Sequence, residues 1–202
     1  MGKKIGISCI VLGIFCILAS VGFIIYNYIE EKNAEAASKS MLQNVQENIN
    51  VPENEEIFDE ETEDPVFEVP SEMPTTETNG YDCIGVLSIP VLELELPVLT
   101  DWSYAKLKIA PCLYYGTYYE ADFVIAAHNY QSHFGRLSEL RPGDLVLFED
   151  VNGTVYCYEV VLTETLTADA TEQMITSGFD LSLYTCTPSG AGRVTVRCKT
   201  VS

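Results

Sequence analysis

With 202 residues and a formal net charge of −19, the chain has enough length for one folded domain plus appendages. Such acidity repels phosphate backbones and argues against a nucleic-acid partner.

Residues 1–29 carry Lys3 and Lys4 and no acid, so this segment alone is positive. From Ile5 to Ile29 the run IGISCIVLGIFCILASVGFIIYNYI is free of charge, about 25 residues where a bilayer span needs roughly 20. Ala19-Ser20 imitates a signal-peptide cleavage site, but the apolar run continues past it through Val21, Phe23, Ile24 and Ile25. The expectation is therefore an uncleaved signal anchor. Lysines before the span and Glu30 and Glu31 after it place the N-terminus in the cytoplasm and the remainder outside. Tyr26 and Tyr28 suit the interfacial aromatic belt.

Residues 30–80 hold 15 acidic residues against Lys32 and Lys39, a net −13. EKNAEAASKSMLQNVQENIN reads as a short helical stalk. The stretch after it carries Pro52, Pro65, Pro70 and Pro74 without an apolar period. It reads as a solvated, self-repelling linker that holds the domain off the membrane. Within it, Asp64-Pro65-Val66-Phe67 and Met73-Pro74-Thr75-Thr76 are candidates for a lid over a groove.

The folded domain is expected from residue 81 to 202, where 15 acids face seven bases, a net −8. CIGVLSIP opens it, followed by LELELPVLT, in which Leu92, Leu94 and Leu96 alternate with Glu93 and Glu95. DFVIAAHN has the continuous apolar character of a buried strand. GDLVLFED and TVYCYEVVLTETL flank Asn152-Gly153, a strong hairpin signal. DLSLYTC and RVTVRCKTV complete the set. SYAKLKIAP and TEQMITSG are the only helical candidates in this part. About eight strands in so short a span predict a mainly β fold closed into a barrel.

Only two histidines occur, His128 and His133. His128 ends the apolar run Phe123–Ala127, at the mouth of a strand, and His133 lies five residues further on. A cysteine nucleophile acts as its thiolate and needs an imidazole to take its proton. A guanidinium beside the reacting carbonyl would stabilise developing negative charge. Cys186 closes its strand and is followed at once by Thr187-Pro188-Ser189-Gly190. By strand parity Arg193, Thr195 and Arg197 share one face, which two guanidinium groups mark as no core face; Val194, Val196 and Cys198 share the other. Cys198 reads as a small core hydrophobe. Cys83, Cys112, Cys157, Cys186 and Cys198 lie beyond the span, an odd number that leaves at least one unpaired within the chain. Parity and position leave three roles open for Cys186: buried filler, half of a disulfide, or nucleophile. No Cys/His spacing suggests a zinc site.

Ser182-Leu183-Tyr184-Thr185-Cys186 resembles the Thr-Leu-x-Thr-Cys signature of sortases, membrane-anchored cysteine transpeptidases of Gram-positive bacteria, with Ser182 as the departure. VIAAHNYQSHFGRLSEL is similar to the family's His segment, with Ala127 where Gly is usual, and GRVTVR to its Arg-bearing strand. The opening YDCIGVLSIPVLELELPV also looks like the family's first strands. The resemblance covers residues 81–202 in the order His, Cys, Arg. It implies an eight-stranded β-barrel with short helices, Cys186 as nucleophile, His128 as acid and base, and Arg193 as carbonyl and oxyanion partner. Thr185, Asn129, His133 and Arg197 are further candidates for the substrate groove. The implied reaction is cleavage of an LPxTG-like sorting signal on a secreted protein through a thioacyl-enzyme, resolved by a cell-wall amine or a pilin lysine. No metal or organic cofactor is implied. HN after the strand resembles class B, whereas YTCTP and the overall length resemble class D. No second hydrophobic span follows the barrel segment in this sequence, so wall anchoring is expected ahead of pilus polymerisation. A surface thiol endopeptidase and a non-catalytic binding barrel are the rival readings.

Overall fold

A computed structural model describes residues 2–49 and 73–201, with side chains from Ile10 onward. The Asp64–Phe67 lid candidate lies outside the described residues.

One helix, α1, runs unbroken from Gly2 to Ile49. Its apolar half is exposed from Ile10 to Ile29, and among the described residues it is the helix long and apolar enough to cross a membrane. The second half differs from a free stalk. Ala34, Met41 and Val45 are buried, with Leu42 and Ile49 partly so, a spacing of three, four and seven residues that gives the helix one apolar stripe. That stripe packs on the outside of the wall formed by β2 (Tyr81–Ile89), β3 (Leu94–Leu99) and β4 (Cys112–Tyr115), against Cys83, Val86, Leu99 and Cys112.

A short strand, β1 (Thr76–Thr78), pairs antiparallel with the start of β2. Thr76 of the second lid candidate is thus a strand residue opposite Cys83, and Met73 packs on the barrel core. The remaining strands are β5 (Phe123–Ala126), β6 (Leu145–Asp150), β7 (Val155–Thr167), β8 (Leu181–Cys186) and β9 (Gly192–Thr200). Their order is β2-β3-β4-β5-β8-β9-β7-β6, and β6 pairs back onto β2. That closes an eight-stranded barrel with no free edge in the ring. Two small helices decorate it, α2 (Tyr104–Leu107) and α3 (Thr171–Ile175).

The interior is filled by alternate residues of each strand, including Phe123 and Ile125 of β5, Leu181 and Leu183 of β8, and Val196 and Cys198 of β9. Asn152-Gly153 does turn the β6–β7 hairpin, with Asp150 Oδ1 accepting from the backbone N–H groups of Asn152 and Thr154 at 2.9 Å. The Leu92–Leu96 alternation is interrupted. Pro90–Leu92 form a 3₁₀ turn, and Glu93 adopts a left-handed conformation before the strand begins at Leu94.

Gly85 is where β2 bends from β3 onto β6. Its φ is +154°, and a Cβ there would stand 2.1 Å from the Glu149 carbonyl oxygen. Gly85→Ala should therefore cost about 3 kcal/mol through backbone strain and overpacking. A thermal unfolding midpoint within 2 °C or so of the unmodified protein's would contradict this account of the bend.

Candidate active site

The site is built by the ends of three neighbouring strands. β5 and β8 run parallel, with Ala126 opposite Tyr184. The register continues past the strand ends: the Ala127 N–H donates to the Tyr184 carbonyl at 3.2 Å, and Thr185 Oγ1 donates to the Ala127 carbonyl at 2.9 Å. His128 and Cys186 each lie two residues beyond that last pair. They therefore sit level on adjacent strand ends, about 4.8 Å apart in backbone spacing. On the other side, β8 and β9 are antiparallel, and Cys186 is directly opposite Arg193. Since side chains alternate along a strand, Cys186 shares the outer face with Ser182 and Tyr184.

Cys186 is exposed and free. Its loop is held tightly: the Thr187 N–H donates to the Gly192 carbonyl at 2.9 Å, and the Gly192 N–H donates to Thr187 Oγ1 at 3.1 Å. Arg193 Nη1 donates to the carbonyls of Gly190 and Gly192, at 3.3 and 3.1 Å, which anchors the guanidinium beside the Cys186 loop. The His128 ring stacks on Tyr130, with centroids 4.1 Å apart and planes 10° from parallel. Its Nδ1 is 3.0 Å from Asn129 Oδ1. With Nδ1–H donating to that oxygen, Nε2 is the nitrogen left for proton transfer. Burial holds His128 below the ordinary imidazole range, against the opposing effect of the Asn129 bond.

Beside Arg193 runs a shallow cleft. Tyr114 and Tyr184 form one wall, their rings edge to face at 5.2 Å, and Thr167, Thr171 and Met174 line the other. Trp102, 41% exposed, extends the aromatic wall at 5.6 Å from Tyr114. This aromatic row escaped the sequence reading; Tyr184, two residues before the cysteine on its face, was the available signal.

Of the four further groove candidates, Asn129 is the one beside the site, and it is bound to His128. Thr185 is buried and serves as the strap between β8 and the His128 strand. Arg197 is also buried, four residues along β9 from Arg193 and opposite Ser182. Its face lies outside the barrel, as parity implied, but the α3 segment covers it. The guanidinium donates to Glu164 Oε1 at 2.9 Å, Ser182 Oγ at 2.8 Å, and the carbonyls of Gln173 and Met174 at 2.7 and 3.3 Å. His133 is fully buried, and neither ring nitrogen finds a partner among the described residues.

Burial pushes His133 down to about 4, which makes it an acid-sensitive group. Above pH 6.5 it is neutral folded and unfolded, so it carries no penalty. As pH falls from 6.5 towards 4, the unfolded chain takes up a proton that the folded one refuses, and about 3 kcal/mol of stability is lost. In His133→Leu, the drop in denaturant-measured stability between pH 7 and pH 4 should be smaller by about that amount. An identical drop in both proteins would contradict it.

Cys83, Cys112 and Cys198 are buried packing groups. Cys83 and Cys112 pair with Leu99 from opposite sides. That places them two strand spacings apart, about 10 Å, too far for a disulfide. Burial pushes Cys83, Cys112 and Cys198 up to about 12, so their thiols stay protonated.

A family model described as Sortase domain matches residues 87–201. Comparison with curated proteins finds no match. Among solved structures, the Clostridium perfringens sortase D5 transpeptidase is similar at 18% identity and a TM-score of 0.61, over 83% of this chain and 99% of that one. Sortase C of Streptococcus pneumoniae is similar at 24% identity and a TM-score of 0.55, over 83% and 89%. Sortase C1 of Streptococcus agalactiae is 26% identical with a TM-score of 0.53, over 59% and 68%. Below 25% identity, the first two likenesses are of fold.

Proposed function

The chain belongs to the sortase family, and from that premise we propose that it is a cysteine transpeptidase that cleaves an LPxTG-like sorting signal and transfers the carrier protein to a cell-wall amine. One observation carries the reading: His128, Cys186 and Arg193 stand at the ends of three adjacent strands, with the cysteine exposed between the other two.

In the first step, the Cys186 thiol gives its proton to His128 Nε2, and Sγ bonds to the carbonyl carbon of the signal's threonine. In this reading Arg193, paired opposite Cys186, offers its remaining donors to the oxyanion, and charge-assisted donors of this kind stabilise such a charge strongly. The C–N bond then breaks, and the imidazolium protonates the departing amine, leaving a thioester. In the second step an acceptor amine attacks the thioester carbonyl and passes its proton to His128, and the thiolate leaves. In the free enzyme His128 is stacked on Tyr130, so it must cross one strand spacing to reach Sγ; catalytic hydrogen bonds commonly tighten only with substrate bound. The cleft between Tyr114/Tyr184 and Thr167–Met174 is the assigned seat of the sorting signal.

In this reading residues 5–29 anchor the enzyme, the N-terminus is cytoplasmic, and the barrel of residues 81–202 works outside. The test is intact-mass measurement of the protein with LPxTG-type peptides, with and without an amine. An adduct that amine converts into ligated peptide supports transpeptidation. An adduct released by water alone supports the endopeptidase, and no adduct with the thiol free supports a binding barrel. Oligoglycine and pilin-type lysine peptides as competing acceptors rank wall anchoring against pilus polymerisation.

A further inference from the structure

α1 passes from its apolar half into its barrel-packed half with no break. The first two residues after the apolar run already bind the barrel. Lys108 Nζ donates to Glu30 Oε1 at 3.0 Å, and the Gln131 backbone N–H donates to Glu31 Oε1 at 2.9 Å. Glu30 is also bound from below, since the Tyr26 hydroxyl donates to the same Oε1 at 2.8 Å. At the far end of the helix, Ile49 lies beside the β6–β7 turn: a Cβ on Gly153 would be 3.8 Å from its Cγ2. The nineteen residue steps from Glu30 to Ile49 are about 28 Å of helix. The barrel therefore stands along one rod, with Lys108 and the Asn129–Ser132 loop at its foot and the Asn152–Gly153 turn at its top.

We infer that the barrel rests directly on the phospholipid headgroup layer through the Lys108–Tyr130–Gln131 edge. An uncharged run of about 25 residues measures about 37 Å, more than the roughly 30 Å of hydrocarbon it must cross. Ile29 thus stands at headgroup level, and an interfacial tyrosine at Tyr26 fits that depth. Lys108 and Gln131 are one hydrogen bond away from the next two residues, which leaves no room for a solvent layer beneath this edge. The half-buried Tyr130 ring and the aliphatic stem of Lys108 suit the interface, where amphipathic side chains are favoured. A recess of about 240 Å³ between helix and barrel, lined by Glu30, Asn33, Lys108, Ile109 and Tyr130, opens at the same level. The contact edge is the one that bears His128, so the candidate active site opens at the bilayer surface.

The experiment uses the full chain in nanodiscs of phosphatidylglycerol and phosphatidylethanolamine doped with a headgroup-nitroxide lipid. Trp102 is the single tryptophan of the protein, so Trp102→Phe leaves a silent background for one reporter at a time. Gln131→Trp reports the foot; Gln131 is exposed and binds Glu31 only through its backbone. Val155→Trp, also at an exposed site, reports the top. The nitroxide lipid should quench the Gln131 reporter at least threefold more than the Val155 reporter. Seven helix-forming residues inserted between Ile29 and Glu30 lift the barrel by two turns, about 10 Å, on nearly the same helix face, and quenching at the foot should then fall at least twofold. Equal quenching at foot and top, or no effect of the insertion, overturns the inference. Depth is read without catalysis, so the outcome is independent of the transpeptidase assay.

Discussion

Cys186→Ala should leave the barrel as stable as before and abolish acyl transfer. The side chain is exposed and makes no packing contribution to the interior, so the change in stability should lie within about 0.5 kcal/mol. On the mechanism proposed above the reaction loses its covalent attachment point, and removing a nucleophile that acts in concert with its base costs at least about a thousandfold in rate. Intact mass should show no peptide adduct, and no ligated product should appear with amine present. A variant that still forms an adduct would transfer the nucleophile role to another thiol. The buried, protonated Cys83, Cys112 and Cys198 are poor candidates for it.

Arg197→Ala should have the opposite signature, a large loss of stability first and of activity through it. This guanidinium links four parts of the molecule: its own strand β9, Glu164 on β7, Ser182 on β8, and the carbonyls of Gln173 and Met174 on α3. Truncation leaves two carbonyls and a hydroxyl without their buried donor and empties the space beneath α3. The expected cost is about 3–5 kcal/mol, a fall of roughly 10 °C in the thermal midpoint at this size. Because α3 forms one wall of the cleft beside Arg193, KM for the peptide should rise in whatever folded protein remains at low temperature. Arg197→Lys should recover little, since one ammonium cannot span the fork that the guanidinium fills. A midpoint unchanged within a degree or two would reduce Arg197 to an ordinary surface arginine.

The strands that announced themselves in the sequence were those lying on a clear alternating or continuous apolar run. β5, β6, β7, β8 and β9 all fall on runs of alternating or continuous apolar residues, and a hairpin joins β6 to β7 where Asn-Gly stands. β4, no shorter than β5, lacks so continuous an apolar run, and the three-residue β1 is too short to carry a period; both are paired by hydrogen bonds from neighbouring strands. The same reasoning separates the arginines. Arg193 and Arg197 are equivalent by parity, yet one ends at an open cleft and the other under a helix; what covers a strand face is decided by a distant segment, residues 164–174 here. His133 shows the converse: Gln131 and Ser132 before it are polar, but the loop that carries it folds inward, led by Phe134 after it, which enters the core. The helical stripe Ala34, Met41, Val45 was available to periodicity, and was masked by the charges interleaved with it.

The parallel pairing of β5 with β8 bears on when reactivity first appears. A parallel pair cannot close through a hairpin; it needs a long connection, and 58 residues separate Ala127 from its Thr185 strap. That connection contains β6, β7 and α3, and the Cys186 hairpin lies beyond it. Contacts so distant along the chain form late, after the loop entropy has been overcome by the intervening strands. Until those strands are in place, Cys186 has no imidazole held at its side. If Cys186 and His128 are the catalytic pair proposed above, contact order places their meeting late in folding, so the onset of chemistry is tied to completion of the barrel.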